Sequence, residues 1–154
     1  MSSFHDFTAL TADGEPYAMS RHRGEHVLVV NIATECAFTP QLAGLQELHE
    51  QGLTVLGFPS DQFRQNPGSD AETAERCSTG YGVTFPLFSA VQVNGPSAEP
   101  LWQWLVAQRA GVLGGRISWN FTKFLIGPDG QVVRRYAPPV PPARIARRLS
   151  DDLR

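Results

Sequence analysis

The chain has only two thiols, Cys36 and Cys77, placed 41 positions apart. Cys36 lies in "VNIATECAFTPQ", where an apolar run gives way to a helix start. A cysteine there could be a small buried thiol, a metal ligand, half of a structural disulfide or a nucleophile. Zinc fits poorly, because two cysteines and four scattered histidines offer no ligand pair at the usual close spacing. The position suits a nucleophile. In open α/β sheets, ligands and reactive groups collect at the carboxyl ends of strands. A helix N-terminus adds free amide donors and a partial positive charge, both of which stabilise a thiolate. A nucleophile and a packed, inert thiol are the two alternatives that placement leaves open.

The elements that must position this cysteine are legible from periodicity. "FTALTADGEPYAM" predicts a hairpin turning at Asp13-Gly14. "HVLVVNIA" and "LTVLGFP" are short apolar runs of the kind found in buried strands. Between them, Thr39 and Pro40 read as the N-cap and first residue of a helix, with Leu42, Leu45 and Leu48 on its apolar stripe. Residues 60–69 carry Asn66-Pro67-Gly68 and read as loop. "DAETAERCSTGYG" predicts a helix with an acidic start, ending near Gly80 or Gly82, and it carries Cys77. "VTFPLFSAVQV" reads as extended chain. "PLWQWLVAQRAGV" reads as a helix with Leu101, Trp104 and Leu105 on one face, followed by a Gly114-Gly115 turn. "FTKFLIGPDGQVVRRY" reads as a hairpin around Asp129-Gly130. "PPARIARRLSDDL" predicts a closing amphipathic helix with Ile145, Leu149 and Leu153 spaced by four. Strands alternating with helices, then a hairpin and a last helix, define an α/β protein with a central mixed sheet.

Composition narrows the function classes. A 42% hydrophobic content and 154 residues suffice for a core without staples, so residues 1–154 are expected to form a single domain. A net charge of −2 makes no electrostatic case for nucleic acid or an anionic membrane surface. Arg144, Arg147 and Arg148 alternate with apolar residues and read as the solvated face of the last helix. No apolar stretch approaches transmembrane length, and the first residues lack the basic-then-apolar pattern of a secretory signal. A cytoplasmic location is therefore expected. Thiols are kept reduced there, so two cysteines are expected to be redox-active or unpaired rather than permanently bridged.

The type of thiol chemistry can be narrowed by elimination and by resemblance. A dithiol exchange enzyme needs Cys-x-x-Cys, but Thr39 stands where the second thiol would be. A peroxiredoxin usually has Thr or Ser three residues before its cysteine, and here that residue is Ala33. Five collinear blocks, "VNIATECAFTPQLAGLQELH", "GFPSDQFRQNPG", "YGVTFPLF", "VNGPSAEPLWQWL" and "WNFTKFLIGPDGQVVRRY", resemble the glutathione peroxidase family over about Phe4 to Leu149. The resemblance implies a thioredoxin-like fold, no cofactor, and reduction of hydroperoxides by a cysteine or selenocysteine.

Residue by residue, the resemblance places Cys36 at the peroxidatic position. The family's glutamine block, "QFGxQEPG", appears as Gln62-Phe63-Arg64-Gln65-Asn66-Pro67-Gly68, one residue shorter. Anchored on Pro67-Gly68, it assigns the catalytic glutamine to Gln65, with Gln62 the alternative. Trp119 and Asn120 match the family's catalytic tryptophan and asparagine. An indole N–H and side-chain amides are neutral donors suited to a thiolate and a departing oxygen. Two departures stand out: Ala37 replaces the glycine after the cysteine, and Ser60 replaces a cysteine common in the family. Cys77 matches the resolving cysteine of the thioredoxin-dependent, cysteine-type members; the other reading makes it a bystander thiol on a helix.

The resemblance implies a cycle. Cys36 reduces hydrogen peroxide or an organic or lipid hydroperoxide and becomes a sulfenic acid. Cys77 closes a disulfide with it, and thioredoxin (or glutathione) restores both thiols. Only one short helix and a glycine turn separate "VNG…PLW" from "SWNF", whereas tetrameric members carry an extra segment there. A monomer with an open site is therefore expected, in a role of oxidative-stress defence. A peroxide sensor passing its oxidation to a partner would use the same two cysteines. A plain thiol–disulfide oxidoreductase and a non-catalytic binding domain are the remaining rivals.

Overall fold

The computed structural model describes residues 2–108 and 115–152, with the side chains of residues 148 and 150–152 excepted. Thr8–Leu10 (β1) and Pro16–Ala18 (β2) form the expected antiparallel hairpin, and Gly14 at its turn takes a φ of +81°. That left-handed geometry is cheap only for glycine. The main sheet has the order β4-β3-β5-β6, with Val27–Ile32 (β3) at its centre beside Thr54–Pro59 (β4). β3 and β4 run parallel, joined through the helix Gln41–Glu50 (α1). Lys123–Ile126 (β5) pairs antiparallel with both β3 and Val132–Tyr136 (β6), so the sheet is mixed.

Every residue of β3 is buried, because both faces of the sheet are covered. Val27 and Val29 point into one apolar layer with Phe58, Phe88, Phe124, Trp102 and Leu105. Leu28, Val30 and Ile32 point into the other, with Leu42, Leu45, Leu125 and Ile145. The period-two alternation of a pleated strand thus splits one apolar run between two cores. The first layer is closed by the hairpin and the helix Pro100–Gln108 (α3). The second is closed by α1, Asp70–Tyr81 (α2) and Pro142–Asp152 (α4). Leu42 and Leu45 are fully buried, and truncating either to Ala would cost about 2–5 kcal/mol.

The α2 helix ends as expected at Gly82, whose φ of +67° forms a left-handed cap. Ile145 and Leu149 face the core and Arg144 and Arg147 face solvent, whereas Leu153 and Gly114 lie outside the described residues. One local expectation needs correction. α1 begins at Gln41, with Pro40 in the cap position, and the Thr39 side chain does not cap it. "VTFPLFSAVQV", expected to be extended, joins its neighbours without forming a named strand: isolated bridges link Leu87 and Phe88 to Gly57 and Thr11, and the Ser89 and Val91 amides donate to Leu10 O and Pro59 O. Pro86 cannot donate to a ladder. A side chain at Gly57 would meet the Phe85 ring at 2.9 Å, so the segment packs tightly across bare backbone. Among the described residues no helix is long and apolar enough to cross a membrane.

Candidate active site

Cys36 stands four residues past the carboxyl end of β3, in a turn that leads into α1. Thr39 builds that turn. Its Oγ1 accepts from the Cys36 amide at 2.9 Å and donates to the Ala33 carbonyl at 2.8 Å. Its own amide donates to the Cys36 carbonyl at 3.0 Å. This is why the Thr39 side chain is unavailable as a cap: its hydroxyl and its amide both fold the chain around the cysteine. The Cys36 sulfur is 3.3 Å from the Phe38 amide, which donates to it. The N–H that can stabilise a thiolate therefore comes from the turn rather than from the first turn of α1. Cys36 is 6% exposed, so its sulfur sits just beneath the surface.

The loop after β4 is laid against this turn. The Ser60 amide donates to Ile32 O at 3.1 Å, continuing the strand pairing, and the Glu35 amide donates to Gln65 O at 2.9 Å. Arg64 adopts a φ of 61°, an unusual state for a residue with a Cβ, where the family's motif has glycine. The two candidate glutamines differ sharply. Gln62 spends its amide on backbone: its oxygen accepts from the amides of Val93 and Asn94 at 2.8 and 3.0 Å, and its nitrogen donates to Asn94 O at 3.2 Å. Gln65 Oε1 is buried with no protein partner.

Trp119 and Asn120 reach the same end of the sheet through Asn31. The Asn31 side chain donates to Trp119 O at 3.2 Å and accepts from the Thr122 amide at 3.0 Å. Asn31 O accepts from the Phe121 amide at 2.7 Å, and Phe121 takes a φ of 67°. β3 thus clamps the segment that enters β5. The Trp119 ring packs on Phe63 with centroids 5.4 Å apart and borders the apolar layer that contains Cys36. Asn120 is wholly buried, and neither atom of its carboxamide meets a protein partner. Buried amides are normally paired, so this orphaned carboxamide calls for an explanation.

Cys77 projects from α2 into the same layer as Cys36, with no exposed surface. Burial pushes its thiol up to about 11. The two thiols are free, so this is the reduced form. α2 is anchored at both ends. Ser69 and Glu72 form a reciprocal capping box, and Gly82 donates back to Cys77 O and Ser78 O. Asp70 accepts from the Ser89 hydroxyl at 2.7 Å and the Ala90 amide at 2.9 Å. Sequence reasoning missed Thr39, the Phe38 amide and Asn66 as builders of the site. Only the Thr at the fourth place of Cys36-Ala37-Phe38-Thr39 could have flagged one of them. Among the described residues no cluster of three or more His, Cys, Asp or Glu could hold a metal.

The chain as a whole is similar to known proteins. Residues 4–106 match the family model described as glutathione peroxidase. The chain is 47% identical over 152 residues to a glutathione peroxidase of Lactococcus lactis subsp. cremoris, covering 96% of this chain and 97% of that one. It is 47% identical over 156 residues to a hydroperoxy fatty acid reductase of Synechocystis sp., covering 94% and 92%. The crystal structure of Trgpx in apo form superposes with a TM-score of 0.80 at 34% identity, covering 98% and 95%. A thioredoxin family protein of Chlorobium tepidum, at 21% identity and a TM-score of 0.63 over 94% and 90%, shares the thioredoxin-like fold. With this fold, a free cysteine at the end of β3 and such relatives, the chain belongs to the glutathione peroxidase family and is a peroxidase.

Proposed function

We propose that the protein reduces hydroperoxides, lipid hydroperoxides among them, through a two-cysteine cycle recycled by thioredoxin. The Cys36 thiolate attacks the terminal oxygen of the O–O bond. Cys36 becomes a sulfenic acid, and the alkoxide leaves and takes up a proton as alcohol, or as water from hydrogen peroxide. Asn120, Gln65 and the Trp119 indole supply neutral hydrogen bonds to the thiolate and the departing oxygen. The observation that carries this reading is the wholly buried Asn120 amide, unpaired at the strand end that carries Cys36. Gln65 is assigned over Gln62, because the Gln62 amide is already consumed by the Val93–Asn94 backbone.

Cys77 then attacks the sulfenic acid, closing the Cys36–Cys77 disulfide and releasing water. A thioredoxin-like dithiol, or glutathione, reduces that disulfide by exchange. Cys77 is buried with a raised pKa, which makes it a poor nucleophile where it stands. Resolution therefore goes through partial opening of α2. A monomer acting in the cytoplasm completes the reading. The Synechocystis relative's name supports fatty acid hydroperoxides as substrates.

One titration tests the cycle. One equivalent of peroxide added to reduced protein should lower the free thiols from two to zero without a disulfide-linked dimer. A Cys77→Ser variant should stop at a Cys36 sulfenic acid. If that variant turns over normally with thioredoxin, the role given to Cys77 is wrong.

A further inference from the structure

Asn66 is 3% exposed, in the loop between β4 and α2, and it binds three separate parts of the site. Its amide donates to Asp61 Oδ1 at 2.9 Å, which closes the loop. Its Oδ1 accepts from the Thr34 amide at 3.1 Å, two residues before Cys36. Its Nδ2 donates to Thr73 Oγ1 at 3.2 Å, and Thr73 is 1% exposed on α2. The orientation of the carboxamide is not ambiguous. A backbone N–H can only donate, so the oxygen must face Thr34 and the nitrogen must face Thr73. Thr73 lies four residues before Cys77, one turn along the same helical face. The adjacent Gln65 carbonyl accepts from the Glu35 amide at 2.9 Å, so the loop and the Cys36 turn are fastened at two neighbouring points.

We propose that Asn66 is a positioning residue that latches the Cys77 helix to the Cys36 turn, so that one side chain holds Cys36 in place and restrains the release of Cys77. The proposal rests on the resolving role given to Cys77 above. In the reduced protein the latch keeps α2 closed while Cys36 reacts with peroxide. When α2 opens, the Asn66–Thr73 bond breaks, while the Asn66–Thr34 bond can persist and hold the turn that bears the sulfenic acid. The two ends of the latch thus act on different steps, and they can be cut separately.

Thr73→Val removes only the helix end, because valine matches threonine in shape and helix propensity. One buried hydrogen bond corresponds to a factor of about five in an opening equilibrium. In the reduced Thr73→Val protein, amide hydrogen exchange across residues 74–81 should accelerate about fivefold. Stopped-flow conversion of Cys36 sulfenic acid to disulfide should accelerate by the same factor, with the rate of Cys36 oxidation unchanged. Asn66→Ala cuts both ends and should in addition slow Cys36 oxidation. Unchanged exchange in Thr73→Val overturns the latch, and so does a slowing of Cys36 oxidation equal to that of Asn66→Ala. Faster exchange without a faster disulfide step overturns the coupling of latch to resolution. A wild-type protein that keeps one thiol after peroxide overturns the role of Cys77 instead, and exchange in Thr73→Val still decides whether the latch exists.

Discussion

Replacing Asn120 with leucine should move stability and activity in opposite directions. Asn120 is wholly buried, and both its carboxamide atoms lack a protein partner. An amide buried without compensating hydrogen bonds costs about 1–3 kcal/mol on mutational scales. Leucine is of similar size and carries no polar atom, so Asn120→Leu should recover much of that cost. In a chain of this length, 1 kcal/mol shifts Tm by about 2–4 °C, so a rise of about 2–10 °C is expected. Activity should fall instead, because removing one preorganised donor to a developing oxyanion typically costs about 10²–10³ in rate. The assay pairs reversible thermal or urea unfolding of the reduced proteins with single-turnover oxidation of Cys36 by hydrogen peroxide. A merely structural asparagine would lose stability on substitution and keep its rate. A variant that is less stable, or one that oxidises at the wild-type rate, refutes the assignment.

Two further perturbations test neighbouring parts of the argument. Because burial raises the Cys77 thiol from 9.0 to about 11, the native state keeps this proton after the unfolded chain has lost it. The stabilisation is complete below about pH 9 and is lost as pH rises to about 11, amounting to about 3 kcal/mol at most. Urea unfolding at stepped alkaline pH should show this decline in the wild type and a flatter profile in Cys77→Ala. Arg64 is exposed yet holds a φ of 61°, so Arg64→Gly should raise unfolding stability by up to about 1 kcal/mol. Loss of stability in that variant would mean that the arginine side chain, rather than the backbone, sets the loop.

The amino-acid sequence by itself determined most of the secondary-structure elements and the fold class. These are written locally. Leu42, Leu45 and Leu48 repeat at helical spacing, β3 is apolar at every position but Asn31, and Gly14, Gly82 and Gly130 stand where the chain needs a positive φ. Collinear blocks supplied the family resemblance and, through it, the proposed roles of Cys36, Trp119 and Asn120. Nothing local shows where hydrogen bonds between distant segments will fall, and those the tertiary structure decided. Thr39 looked like a cap because a hydroxyl before a helix usually is one, yet folding brought Ala33 O within 2.8 Å of it. "VTFPLFSAVQV" reads as extended chain, but which segments it would touch, Thr11 and Gly57 by isolated bridges, lay outside its own composition. Gln62 and Gln65 are the same residue type three positions apart, and it is the approach of Val93 and Asn94 that satisfies the Gln62 amide while Gln65 Oε1 stays unpaired. Asn66 sits in a stretch without periodicity, so its three contacts could not be read from spacing. They exist because β3, the β4–α2 loop and α2 converge at one end of the sheet, where a short side chain can reach all of them.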